Sequence, residues 1–352
     1  MPDTLELLSA KAIHLAEKHL AQQHGLQVRI GAEMEYTLLP NHRSKVGKEK
    51  KSDILTRMEA MTKSLDFSPS QHRAANDKAL FFEESPIISS HYAELASNQF
   101  EVVFSHQRNY PSNSILARAI EKTRDVICRS APQHGFTADF SPVSAIEIPP
   151  PEYMRNFAKA VSKRGTNNID LNISLHKSDD PDSQHPLNKQ HDLTAISNHM
   201  TPYIIENMAL IAKNDEAFER FHLENQMLAG SPKASSNANS AKTCGSDDSL
   251  RLEHKTTSAN ANPMHSIALH MAALVFAIEQ HTHNAPLPEK TTTIAKNLKE
   301  ATQRMEHSDL LCNTLNSIDP NKKLGTIYKQ EALNNAQHNL NHPFASLAPR
   351  SR

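Results

Sequence analysis

The chain is 352 residues long, with 38 basic against 39 acidic side chains, a formal net charge of -1 and 38% hydrophobic residues. That length can bury a real core, as one large domain or two small ones, and the charge balance excludes a broad electrostatic attraction to nucleic acid or an anionic membrane. The N-terminus lacks a basic segment followed by an apolar run, and no stretch approaches the roughly 18 apolar residues of a membrane span, so a cytoplasmic location is expected.

Residues 3–24 carry Leu5, Leu8, Ala12, Leu15, Ala16 and Leu20 at three- and four-residue steps, which predicts an amphipathic helix ended by Gly25. A strand follows over 28–39, with Val28, Ile30, Ala32, Met34 and Tyr36 on one parity and Arg29, Gly31, Glu33 and Glu35 on the other. Residues 41–53 read as a solvated basic loop. A second strand pattern covers 86–105, a helix 114–134 runs to the stop at His134-Gly135, and a strand follows at 136–140. The cleanest alternation is Asn168 to Leu175, where Ile169, Leu171, Ile173 and Leu175 oppose Asn168, Asp170, Asn172 and Ser174. Residues 190–228 read as helix and the Ser-, Asn-, Ala- and Lys-rich stretch 230–248 as a low-complexity loop. A strand at 249–255, a helix at 263–280, helices near 293–306 and 322–339, and a tail from 341 complete the reading.

Cys128, Cys244 and Cys312 are too scattered for a disulfide framework or a CxxC knuckle and read as free thiols. The 21 histidines follow no zinc spacing, and His281 and His283 fall in a polar, Pro-containing turn, so they read as scattered surface residues.

Four strands share one feature. The parity opposite the apolar residues carries Glu33 and Glu35, then Gln99 and Glu101, then Asp170 and Asn172, then Arg251, Glu253 and Lys255. Any one of these strands alone is explained by the wet face of an antiparallel sheet. Alternate side chains on a strand lie about 7 Å apart on one side, however, and carboxylates converging without counter-charges are most simply compensated by a bound cation. Oxygen-only ligands suit Mg²⁺ or Mn²⁺ rather than zinc.

These segments resemble the glutamine synthetase family. Residues 31–36 (GAEMEY) look like its GxExEF strand, 94–101 (ELASNQFE) its segment with two glutamates seven residues apart, and 134–140 (HGFTADF) its HGLxATF strand. Residues 168–175 (NIDLNISL) resemble GMHxHxSL, and 251–255 (RLEHK) with 261–263 (ANP) resemble RIExR and ANPYLA, all in the family's order. Asn297 to Ala301 (NLKEA) resembles a motif of its last helices.

The resemblance implies an α+β fold, a curved antiparallel sheet packed with helices, over residues 1–340. It implies one divalent cation, Mg²⁺ or Mn²⁺, on Glu35, Glu94 and Glu101 and a second on Glu33, Asp170 and Glu253, with aspartate at 170 replacing the family's histidine. Arg251 and Lys255 match residues that face the transferred phosphate and the glutamate, and Asn172 and Ser174 match residues near the nucleotide. The implied reaction is phosphoryl transfer from ATP to a glutamate γ-carboxylate, giving an acyl phosphate that ammonia or another amine attacks.

The departures fall on substrate binding. Only 32 residues precede Glu33, so the small N-terminal β-grasp domain of the family is expected to be missing and any homo-oligomer to be smaller or altered. The glutamate-binding flap is replaced by 230–248, with Lys233 and Lys242 its only cations. Asn98 replaces the glycine before Gln99, Val143 stands at a family lysine, and Lys255 replaces an arginine with its bidentate fork. An active carboxylate–amine ligase, a catalytically silent relative that binds metal, ATP or a protein partner, and an unrelated protein whose strands merely have a polar face are all compatible with that pattern.

Overall fold

The computed structural model describes residues 4–40, 56–57, 60–61, 88–93, 98–105, 112–145, 164–221, 241–246, 249–288 and 293–342. Helix α1 (Thr4–His24) stops at Gly25, whose φ of 64° suits a residue without a Cβ, and the chain enters the long strand β1 (Leu26–Pro40). Strands β2 (Ile88–Ala93) and β3 (Gln99–Phe104) follow, so the apolar pattern over 86–105 resolves into two antiparallel strands. Helix α2 (Ser114–Ser130) runs into a 3₁₀ turn (Ala131–His134) closed by Gly135 at φ 80°, and β4 (Phe136–Asp139), β5 (Val143–Ala145), β6 (Arg164–Thr166) and β7 (Asn168–Lys177) come next.

Helix α3 (Gln190–Glu206) is followed by a 3₁₀ turn (Met208–Leu210), so the single helix expected over 190–228 is broken after Glu206. Asn207 turns its amide back onto the carbonyl of Tyr203, 2.8 Å away, instead of continuing the spiral. Strand β8 (Ala241–Cys244) lies inside the stretch read as a loop, because β9 (Arg251–Ser258) supplies the partner that its composition could not reveal. Helices α4 (Pro263–Thr282), α5 (Leu298–His307), α6 (Leu310–Ile318) and α7 (Leu324–Asn341) complete the described chain. The expected basic loop at 41–53 and the tail beyond 342 lie outside the described residues.

The main sheet runs β2-β3-β1-β7-β9-β8, with β4 pairing the far end of β1, and its pairings are all antiparallel. Directly opposite residues share a face, so register decides which side chains meet. Val28, Ile30, Ala32, Met34 and Tyr36 of β1 point with Ile169, Leu171, Ile173 and Leu175 of β7 into the helical layer, and all are buried. Helix α4 is buried almost all round, as a helix apolar on every side must be, and it packs against both α1 and α3. Its start explains the ANP motif in physical terms. Asn262 caps the helix, accepting from the N–H groups of Met264 at 2.8 Å and His265 at 3.3 Å, and Pro263 occupies the first turn, where no donor is required.

Two further differences from the sequence reading concern histidine. His199, His254, His265 and His270 are buried rather than on the surface. His281 lies in the last turn of α4, 3.1 Å from Asp192, whereas His283 lies in the turn that follows, as expected.

Candidate active site

The polar face of the sheet is set by three registers. Glu35 of β1 lies opposite Glu101 of β3, Glu33 opposite Asp170 of β7, and Asn172 of β7 opposite Glu253 of β9. Carboxylates from four neighbouring strands therefore share one surface. Asp170, Glu101 and Glu253 are buried, whereas Glu33, Glu35, Arg251, Lys255, Asn172 and Ser174 are half-buried. Glu94 lies outside the described residues.

At the β3 side, Glu35 Oε2 accepts from the backbone N–H of Asn168 at 3.1 Å and from Gln99 Nε2 at 3.4 Å. Gln99 is itself fixed by a 2.7 Å bond to the carbonyl of Thr166. Both of these donors are neutral and help to orient the carboxylate.

The β9 side is different. Asn172 links two charged groups, donating from Nδ2 to Glu33 Oε1 at 3.0 Å and accepting at Oδ1 from Arg251 Nε at 2.8 Å. One residue of β7, Asp170, faces two of β9, Lys255 and Thr256, between the pairs Leu171–His254 and Ile169–Thr257. That β-bulge aims Lys255 back over the carboxylates. Its ammonium contacts Asp170 Oδ2 and lies 3.1 Å from Glu253 Oε1, while Asp170 Oδ1 accepts from Asn168 Nδ2. Lys242 of β8 reaches the same Glu253 Oε1 at 2.9 Å, and the Cys244 thiol donates to Oε2 at 3.0 Å.

Burial pushes the Asp170 carboxyl up to about 6 despite the ammonium beside it. Burial also acts upward on Glu253, but the bonds from Cys244 and Lys242 and the two ammonium charges outweigh it and hold the carboxyl at about 2. Lys255 is held above the usual lysine range, because Asp170 and Glu253 overcome the cost of its burial. The Cys244 thiol is pushed up to about 11 by burial and by its bond to Glu253, so it stays protonated and donates.

Nine sequence-predicted residues are thus distributed over one face, eight of them in two groups. Glu35 and Glu101 form the first, and Glu33, Asp170, Glu253, Asn172, Arg251 and Lys255 form the second. Ser174 lies farther along β7, bonded to His176 Nε2 at 3.1 Å and opposite Arg29. Among the described residues no three His, Cys, Asp or Glu side chains are grouped as a metal-ligand set. Glu35 and Glu101 lie directly opposite each other and offer the oxygen-only chemistry that a divalent cation would need. Glu33, Asp170 and Glu253 do not fit one in this arrangement, because an ammonium already lies between two of them.

Three participants escaped the sequence reading. Lys242 lies in a low-complexity segment that reads as a loop, and the sequence offers Cys244 only as a free thiol. Arg220, fully buried, donates from Nη2 to the carbonyl of Lys255 at 2.7 Å and so fixes the bulge. Only the strand parity of Lys242 and Cys244, both opposite β9 residues already singled out, could have signalled the first two.

No protein-family model and no curated protein matches the chain. A solved structure described as a novel glutamine synthase homolog does match, with a TM-score of 0.58 over 97% of this chain and 72% of that one, at 16% identity. The fold, an antiparallel sheet packed with helices whose polar face carries this site, is glutamine-synthetase-like.

Proposed function

We propose that the chain is an ATP-dependent carboxylate–amine ligase that phosphorylates a glutamate γ-carboxylate and passes the acyl group to ammonia or another amine. The observation that carries this reading is the convergence of Glu33, Glu35, Glu101, Asp170 and Glu253 on one sheet face, bordered by Arg251, within a glutamine-synthetase-like fold. A divalent cation, Mg²⁺ or Mn²⁺, belongs in this reading on Glu35, Glu94 and Glu101; when bound it would neutralise phosphate charge.

The chain's own residues have separable parts. Arg251, anchored through Asn172 to Glu33, keeps guanidinium donors for a phosphate or carboxylate anion. Asn172 and Ser174 are assigned to the nucleotide. No side-chain nucleophile is required, because the attacking groups are the substrate carboxylate and then the amine. Oligomerisation and a cytoplasmic setting belong to the same proposal; no described helix is long and apolar enough to cross a membrane.

A second reading, a silent relative that binds nucleotide or a partner without turnover, draws support from Lys255 resting on Asp170 and Glu253. ADP release from ATP with glutamate and either ammonium or hydroxylamine separates the two. The ligase reading expects ADP only when carboxylate and amine are both present, together with a γ-glutamyl hydroxamate from hydroxylamine. Saturable ATP binding with no ADP under any combination would replace it with the silent reading.

A further inference from the structure

We infer that the Lys255 ammonium is a built-in replacement for a second divalent cation, so that this site holds one metal ion per chain rather than two. The inference rests on the ligase reading only in taking Glu35, Glu94 and Glu101 as the place of the remaining ion.

Three observations converge on it. First, both oxygens of Asp170 are engaged, one by Asn168 and the other by Lys255. Both oxygens of Glu253 are engaged as well, one by Lys255 and Lys242 and the other by Cys244. A metal ion at these two carboxylates would have to compete with four donors already in place. Second, charge is already balanced. The three carboxylates Glu33, Asp170 and Glu253 meet the three cations Arg251, Lys242 and Lys255, directly or through Asn172. Adding a divalent ion would leave the group with a surplus of positive charge beside a partly desolvated ammonium.

Third, the ammonium is placed by the backbone and not by a flexible stem alone. The bulge opposite Asp170 turns Lys255 onto this face, and the buried Arg220 holds the Lys255 carbonyl at 2.7 Å. A tethered monovalent charge differs from an ion in one respect that matters for binding: it cannot dissociate, so the second group of carboxylates stays neutralised whatever the metal concentration.

Equilibrium dialysis of Mn²⁺ against the full chain, taken to saturation without nucleotide, tests this by stoichiometry rather than by activity. One Mn²⁺ is expected for the wild type, two for Lys255→Met, and still one for Glu253→Gln, whereas Glu35→Gln is expected to weaken the wild-type ion at least about tenfold. Two ions in the wild type, or one in both the wild type and Lys255→Met, would overturn the inference and leave the ligase reading standing. No binding by either protein would remove the metal from the ligase reading and the inference with it. Should Lys255→Met fail to fold, Glu253→Gln carries the test alone, because loss of the ion in that variant would put it among Glu33, Asp170 and Glu253.

Discussion

At the scale of single residues, the energetics of the site turn on Asp170. Its side chain is 4% exposed and ion-paired to Lys255, so removing the ammonium leaves a buried carboxylate without its partner. Lys255→Met is expected to destabilise the metal-free protein by about 3 kcal/mol, the usual result of breaking a buried pair from one side. The double variant Asp170→Asn with Lys255→Met should recover much of that loss, because neither half of the pair then remains alone. Urea denaturation in the presence of a chelator measures both, and a double variant weaker than the single one would contradict the assignment. The residue types of this pair were readable in the sequence, as was their placement on polar parities. What could not be read was that the lysine would neutralise the aspartate. The bulge that brings them together depends on how β7 and β9 align, and nothing local to either strand encodes that.

At the scale of elements, helix and strand starts were legible wherever a local rule fixed them. Gly25 and Gly135 adopt the positive φ that their stop positions demanded, and Asn262-Pro263 starts α4 as a cap and first turn. The NLKEA segment behaves in the same way. Asn297 accepts from the N–H of Glu300 at 2.9 Å, and the Glu300 carboxylate reaches back to the N–H of Lys296 at 3.0 Å, a close variant of a capping box. The elements missed were short and depended on tertiary partners. Strand β8 has four residues of weak strand propensity and exists because β9 offers an edge. Helix α6 (Leu310–Ile318) fell between two expected helices and is held by α7, where Gly325 lies against it. A Cβ at Gly325 would sit 2.0 Å from the carbonyl oxygen of Cys312, a backbone atom with no rotamer to change. Alanine there would gain about 1 kcal/mol of helix propensity, but overpacking of this kind costs about 1–3 kcal/mol. Gly325→Ala is therefore expected to lower thermal stability, and an unchanged or raised melting temperature would show that α6 and α7 can separate freely.

At the scale of the whole molecule, acid sensitivity is expected to come from the interior rather than from surface carboxylates. His270 is fully buried between the Ser266 carbonyl at 2.7 Å and the Thr256 hydroxyl at 3.1 Å, and burial lowers it from its usual 6.5 to about 4. Its neighbour His254, 5.4 Å away ring to ring, is also held well below the usual value by burial. The unfolded chain takes a proton near 6.5, whereas folded His270 resists one until about 4. Stability should thus be complete above 6.5 and decline as pH falls through that window, by about 3 kcal/mol for His270 alone. Replacing His270 with glutamine is expected to flatten part of the slope in denaturation midpoints between pH 7.5 and pH 4.5, roughly the span that brackets the two states. An equal slope in the variant would assign the acid sensitivity elsewhere. The buried histidines were the clearest failure of the sequence reading. A histidine inside an apolar helix looks like a surface residue until the partners for its two ring nitrogens are known.

The position of β1 has a consequence for the order of events in synthesis. It is the earliest described strand, yet it sits inside the sheet with one edge reserved for β3 and the other for β7, which arrives much later in the chain. Such non-local pairing is slow to form, and both edges of β1 stay bare until those partners emerge. Asp170 then waits again, because Glu253 and Lys255 leave the ribosome later still. Asp170 therefore acquires the Lys255 ammonium only at a late stage of sheet assembly, and an incomplete chain lacking β9 would leave that carboxylate without it.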